Sequence, residues 1–299
     1  MDMLTVRGLH KSFGDKQVLR GLDLTVPEHS LFGFIGRNGA GKTTAMKAVL
    51  GLLRADSGSI TVGGEEVTFG QSRTNRFVGY LPDVPEFYGF MTAGEYLAFC
   101  GEISGMERED FRHRSEELLE LVGLSGERHR IRGFSRGMKQ RLGIAQALMN
   151  RPRLLICDEP TSALDPMGRR DVLDLLLRVR EQTTVLFSTH ILADVERICT
   201  DVALLDRGVI ALQGKLNEVK ASYSRDEYAL CTASPSGLDE VAAAFPETVR
   251  RDGDSLIFAD DGASLYEIMR FLGDRRIPTL RLERLEPTLE SLFMEATDK

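Results

Sequence analysis

The sequence predicts an α/β fold: a sheet domain with an antiparallel β flank and a helical insertion, followed by a small α+β module. Three observations lead there. A glycine-rich stretch, Gly36 to Thr44 (GRNGAGKTT), sits between a short apolar run, Leu31 to Ile35, and a helix-like run, Thr43 to Leu50, closed by Gly51. A second apolar run, Arg153 to Asp158 (RLLICD), is short enough for a buried parallel strand, yet it ends in two adjacent acids, Asp158 and Glu159. From there strand-like and helix-like segments alternate as far as Leu212, the pattern of an open sheet whose ligands gather at the carboxyl ends of its strands.

Taken in order, Met3 to Val6 and Leu19 to Val26 read as strands joined by a polar turn at Gly14-Asp15-Lys16. Past the glycine-rich stretch, Gly58 to Val62 and Glu65 to Thr68 read as two strands about Gly63-Gly64, and Phe77 to Leu81 as another. From Thr92 to Val122 the period becomes helical, with Leu118, Leu119 and Val122 on one face, which marks the insertion, about residues 85–140. Gly133 to Gly137 breaks it, and a fresh amphipathic helix runs from Met138 to Met149. A helix at Val172 to Arg180, a strand at Thr184 to Ser188, a helix at Ile191 to Ile198 and a hairpin of Val202 to Asp206 with Val209 to Leu212 complete a first domain of residues 1–215. Residues 216–299 then order strands and helices as β-α-β-β-α-β, a ferredoxin-like pattern, with a last helix opening at Pro287.

Composition removes several function classes. A formal charge of −7 argues against nucleic acid as the main partner, because binding a phosphate backbone needs a dense basic face, and Arg128 to Arg132 (RHRIR) is too short to supply one. No apolar run approaches the ~20 residues that span a bilayer, and the first residues (MDMLTV) resemble neither a signal nor a transit peptide. Four cysteines lie without metal-ligand spacing, which makes reduced, buried thiols the default expectation.

The chemistry is concentrated in the glycine-rich stretch. It fits G-x-x-x-x-G-K-[ST], with Gly36, Gly41, Lys42 and Thr43 at the fixed positions, Arg37, Asn38, Gly39 and Ala40 between them, and Thr44 behind. Glycines let the backbone curl so that successive N–H groups face phosphate oxygens, and the following helix adds the positive end of its dipole. Lys42 supplies a cation for the β- and γ-phosphates, and Thr43 a hydroxyl for the magnesium ion that accompanies the nucleotide. Acids at the end of a buried strand, Asp158 and Glu159, suit metal and water chemistry beside such a loop; helix capping or a salt bridge is the plainer alternative. His190 lies at the end of the strand TVLFS and is read as a γ-phosphate contact, with a satisfied core histidine as the alternative. Phe13, at the tip of the first hairpin, is either a packed loop aromatic or a ring that stacks on a base.

Together these pieces resemble the ATP-binding subunit of an ABC (ATP-binding cassette) transporter, a P-loop NTPase, over roughly residues 3–215. FSRGMKQR, from Phe134 to Arg141, looks like the family signature usually written LSGGQ; LLICDEP looks like its Walker B strand; Ser162 to Asp165 (SALD) resembles its D-loop; His190 and Phe13 fall at its switch histidine and its base-stacking aromatic. The resemblance implies ATP and Mg²⁺ as cofactors, with Asp158 and Thr43 at the metal and Glu159 orienting or deprotonating the attacking water. It also implies that Ser135, Arg136, Gly137 and Met138 serve the nucleotide of a second copy in an ATP-sandwich dimer, and it places Asp165 in the D-loop. Two departures stand out. Asp83 occupies the position of the family's glutamine, where a carboxylate still reaches magnesium but adds charge beside the triphosphate. Arg136 replaces a signature glycine and Met138 a glutamine; Arg136 either adds positive charge for the partner's phosphates or is merely exposed.

The form FSRGMKQR, the acid at 83 and an ending LEPTLESLF (Leu285 to Phe293) look like the ATPases of bacterial ABC-2-type exporters, which handle drugs, peptides, lipids or polysaccharides. That implies a separately encoded integral membrane permease, which would hold the chain at the cytoplasmic face of the cell membrane. Pro85 to Phe90 (PEFYGF) is then a candidate docking surface, or else packing between insertion and sheet. A soluble ABC-type ATPase acting on ribosomes or DNA is the alternative. It fits less well, because one cassette, no long coiled coil and an acidic balance are present. For the C-terminal module a dimer brace and a regulatory clamp both remain open.

Overall fold

The computed structural model describes residues 1–71, 73–222, 227–259, 262–285 and 288–297, and the chain divides into two units, residues 1–217 with the chain end from Phe293, and residues 218–292. In the first unit, β1 (Asp2–Phe13) and β2 (Lys16–Pro27) pair antiparallel about Gly14-Asp15. Both outrun the strands expected from the sequence. β1 continues past Val6 because register irregularities between Val6 and His10 bend it without ending its pairing.

Next come β3 (Leu31–Ile35), α1 (Lys42–Val49), β4 (Ser57–Val62), the two-residue β5 (Glu65–Glu66) and β6 (Val78–Leu81). The insertion is a helix pair, α2 (Ala93–Ile103) and α3 (Arg108–Leu121), followed by α4 (Arg136–Ala147). Then β7 (Leu154–Asp158), α5 (Pro166–Val179), β8 (Thr184–Thr189), α6 (Leu192–Ile198), β9 (Asp201–Asp206), β10 (Val209–Lys215) and α7 (Leu216–Ser222), a helix the sequence pattern did not suggest.

Two helix starts differ from the sequence reading for one reason. α5 begins at Pro166, six residues before the apolar periodicity starts, because Asp165 caps it by accepting from Gly168 N at 2.8 Å and proline at the first position needs no donor. α4 begins at Arg136, capped by Ser135, not near Met138. A polar first turn carries no periodic signal, so the cap residues mark these starts better than the apolar pattern does.

The strands form two sheets. The order β10-β9-β3-β8-β7-β6 is parallel except for the β9/β10 hairpin, and β2-β1-β4-β5 is the antiparallel flank. β3, β7 and β8 are buried at every position, as strands covered on both faces should be. Their side chains join those of the flank and α1 in one apolar core around Phe32, Phe34, Met46, Ile156 and Leu186. Burying a side chain of this size stabilises by roughly 1.5–3 kcal/mol, which fixes the strand ends that follow. The four cysteines are all unpaired, and only Cys157 is fully buried.

The second unit comprises β11 (Glu227–Thr232), α8 (Pro235–Ala244), β12 (Val249–Asp252), β13 (Ser255–Ala259), α9 (Ala263–Arg275) and β14 (Thr279–Arg284). The sheet order is β12-β13-β11-β14, every pair antiparallel. Its core is wholly apolar: Leu230, Leu238, Val241, Leu256, Phe258, Ile268 and Leu272. The last helix is α10 (Leu289–Thr297); Pro287, where the sequence places its start, lies outside the described residues. No helix among the described residues is long and apolar enough to cross a membrane.

Candidate nucleotide site

β8 lies between β3 and β7, so three neighbouring parallel strands end side by side. β3 delivers the glycine-rich loop, β7 delivers Asp158 and Glu159, and β8 delivers Ser188 and, just beyond, His190. The loop can form only with glycine at two of its positions. A Cβ on Gly36 would stand 2.7 Å from the Leu205 carbonyl oxygen, and Gly41, which precedes α1, has φ of 111°.

Within this corner the charged side chains satisfy one another. Lys42, 6% exposed, donates from Nζ to the Gly36 carbonyl at 2.6 Å and lies 3.2 Å from Glu159 Oε1. The other Glu159 oxygen, Oε2, is 2.9 Å from His190 Nδ1. Asp158 is held on both oxygens: Thr43 Oγ1 donates to Oδ2 at 2.7 Å and Ser188 Oγ to Oδ1 at 2.6 Å. Ser188 also accepts from the Glu159 N–H at 3.0 Å. Glu159 has φ of 48°, a left-handed conformation that costs a non-glycine residue on the order of 1–3 kcal/mol and recurs at functional sites. Ser188 pins that turn from the next strand.

Asp83 follows β6, the neighbour of β7 at the sheet edge. Its Oδ1 is buried without a hydrogen-bond partner. Burial pushes its carboxyl above the ordinary range, Asp158 and Glu159 push the same way, and Arg136 and His190 oppose them. On the same strand, burial and Asp158 raise the Tyr80 hydroxyl to about 12. The corner is therefore rich in negative charge, with Lys42 its buried cation.

Most of the remaining sequence-predicted residues stand outside this hydrogen-bonded group, although the Arg37 carbonyl accepts from Lys42 Nζ at 3.4 Å. Arg37, Asn38 and Gly39 form the exposed crest of the loop, where Ala40 N bonds the Arg37 carbonyl at 3.1 Å. Thr44 lies on the first turn of α1. Phe13 is 52% exposed at the end of β1, with Lys11 Nζ 5.4 Å from its ring centre. Ser135 and Arg136 are exposed at the start of α4, where Ser135 Oγ accepts from Met138 N at 3.2 Å. Ser135, Gly137 and Met138 line a cleft of about 360 Å³ together with Ala163 and Asp165. Arg136 borders both that cleft and a second one, about 470 Å³, shared with Asp83 and Phe87. Ser188 was not among the residues read from the sequence.

A glycine-rich loop, an acid pair of buried Asp158 and partly buried Glu159, and an exposed helix start thus occur on one α/β sheet. The ABC transporter family matches residues 19–162, and the C-terminal domain of DrrA1-3-like ATP-binding proteins matches residues 214–297. An uncharacterized ABC transporter ATP-binding protein of Bacillus subtilis, YxlF, is 42% identical over 229 residues, 76% of this chain and 76% of that protein. The chain belongs to the ABC transporter ATP-binding proteins. The linearmycin resistance ATP-binding protein LnrL of Bacillus subtilis is 31% identical over 309 residues, covering 99% of each chain. A solved ATP-binding subunit of an ABC transporter shares the fold with a TM-score of 0.66 and 30% identity over 74% of this chain and 93% of that one. As a member of this family the ABC chain binds ATP and hydrolyses it to power transport, as subunits that work with membrane permease components do.

Proposed function

We propose that this ABC ATPase drives an exporter, working as a homodimer beneath a separately encoded membrane permease at the cytoplasmic face of the cell membrane. One observation carries the export reading: the likeness to a resistance ATPase runs the full length, C-terminal module included. The cargo class of drug, peptide, lipid or polysaccharide follows from the same likeness, and the net charge of −7 speaks against nucleic acid.

The chemistry follows from the residues. Lys42 and the N–H groups from Gly36 to Thr44 hold the phosphates at the start of α1. Phe13 offers an exposed ring for the base. Glu159, held between Lys42 and His190, acts as general base on the attacking water, an effect typically worth ~10²- to 10⁴-fold; His190 carries the γ-phosphate contact. The oxygens around Thr43 fit Mg²⁺, since a hydroxyl and a carboxylate stand 2.7 Å apart and Asp83 adds a buried oxygen with no other partner. Among the described residues no group of three His, Cys, Asp or Glu side chains would hold a cation alone, which fits an ion that arrives on the nucleotide. Thr43, Asp158 and Asp83 would hold it, and when bound it neutralises charge on the phosphates. Ser135, Arg136, Gly137 and Met138, with Asp165, face outward and serve the nucleotide of the second copy, which makes closure of the dimer ATP-dependent.

The test is recovery of the tagged chain from gently solubilised native membranes, with mass spectrometry of its companions. A stoichiometric polytopic membrane protein is expected. Ribosomal proteins or DNA-repair factors, with the chain absent from membranes, would overturn the reading.

A further inference from the structure

A second hydrogen-bonded group is joined to the proposed catalytic one along the chain. Asp194, on α6, is 1% exposed, and its two oxygens have different partners. Oδ2 accepts from Thr161 Oγ1 at 2.8 Å, and Oδ1 accepts from Arg169 Nε at 2.6 Å. These partners flank the Ser162 to Asp165 segment. Thr161, itself 2% exposed, immediately precedes the segment, and Arg169 follows it on the first turn of α5, where its N–H bonds the Asp165 carbonyl at 2.9 Å. Between them Ala163 adopts φ of 51°, so the segment makes a sharp turn whose two ends are tied to one carboxylate.

Asp194 stands four residues after His190, and His190 Nδ1 is 2.9 Å from Glu159 Oε2. Glu159 stands two residues before Thr161. The contacts therefore close a ring: Glu159 to His190 by hydrogen bond, His190 to Asp194 along the chain, Asp194 to Thr161 by hydrogen bond, and Thr161 back to Glu159 along the chain. A ring of this kind has little freedom. The charge-assisted bond from Arg169 reaches a carboxylate that is 1% exposed and holds firmly, so displacing the 162–165 segment would move Thr161 and with it the Glu159 carboxylate.

We propose that Asp194 is a positioning residue for ATP hydrolysis, locking the 162–165 segment, the base Glu159 and His190 into one geometry through Thr161 and Arg169. Misplacing a catalytic group by about 1 Å costs about 10²-fold in rate while leaving substrate binding largely intact. The inference rests on Glu159 and His190 acting as proposed above.

The test is steady-state ATPase kinetics of the full chain bearing Asp194→Asn, Arg169→Gln, or both, beside Glu159→Gln. The competent fraction is counted by titration with a non-hydrolysable ATP analogue. Each single variant should lower kcat per competent site about 10- to 10²-fold with KM for ATP within about twofold. The double variant should be no slower than Asp194→Asn, because both changes open the same ring. Arg169 is one-third exposed at its side chain, so Arg169→Gln keeps the test open should Asp194→Asn fail to fold. Near-normal kcat per competent site in Arg169→Gln, losses that multiply in the double variant, or a loss of activity that only tracks the competent fraction would overturn the role. Near-normal turnover in Glu159→Gln would instead remove the base assignment, and the inference with it.

Discussion

The corner at the ends of β3, β7 and β8 and the turn at the start of α4 are both anion sites in prospect, and they are built in opposite ways. In the corner, Lys42, Thr43, Asp158, Glu159, Ser188 and His190 bond one another within a single chain, and the charges at its centre are buried. At the turn, Ser135 and Arg136 are exposed, Ser135 is held by local helix-start bonds from Met138 N and Lys139 N, and the cleft beside them opens onto Asp165. The two should therefore fail in different ways. A change in the corner alters binding or chemistry in that same chain, whereas a change at the turn should leave that chain's own ATP binding alone and act on a partner.

The largest effect is expected from Glu159→Gln, which keeps the shape of the corner and removes its proposed base. Turnover should fall by ~10²- to 10⁴-fold with ATP still bound, read from phosphate release beside equilibrium nucleotide binding. Ser135→Arg is expected to lower hydrolysis by about 10²-fold, the scale of one lost anion donor in a reaction site. Its ATP affinity should match the parent, and mixing it with Lys42→Ala subunits should return part of the activity; loss of ATP affinity in Ser135→Arg would put the turn inside the same site as the corner. Lys42→Ala, by contrast, should weaken ATP binding roughly 10- to 10²-fold, the cost of a charge-assisted bond of about 1.5–3 kcal/mol, as isothermal titration would show.

The smallest effect concerns Asp83. Its carboxyl is held above the ordinary value of 3.8 by burial and by Asp158, so the native state binds that proton more tightly than the unfolded chain does. Stability therefore falls as pH rises through the ordinary value and reaches its full penalty above the raised one. Asp83→Asn removes the penalty: its melting temperature should match the parent near pH 3 and exceed it slightly at neutral pH. A difference that does not change with pH would show that the carboxyl is not strained by its neighbours.

Much of the corner was legible in the sequence because buried parallel strands read as unbroken apolar runs and a phosphate loop has fixed spacing. Leu31 to Ile35 and Arg153 to Asp158 announced β3 and β7 within one residue. Helix starts were less legible, since the first turns of α4 and α5 are polar and reveal themselves only through caps at Ser135 and Asp165. Ser188 and Asp194 were illegible for a different reason. Each acts on a residue about thirty positions away, Asp158 and Thr161, and only the placement of β8 and α6 beside the β7 end creates those contacts. The single wide helical stretch read from Thr92 to Val122 resolves into α2 and α3, because the chain turns at Ser104-Gly105, where Gly105 has φ of 75°.

One chain is proposed to hold a complete corner but to lend its exposed turn to another. That division is tested most directly by the mass in solution of Glu159→Gln, measured by light scattering with saturating ATP and again with ADP. The mass should double with ATP, stay single with ADP, and stay single with ATP once Ser135→Arg is added. A single mass for Glu159→Gln at saturating ATP, with nucleotide demonstrably bound, would contradict it.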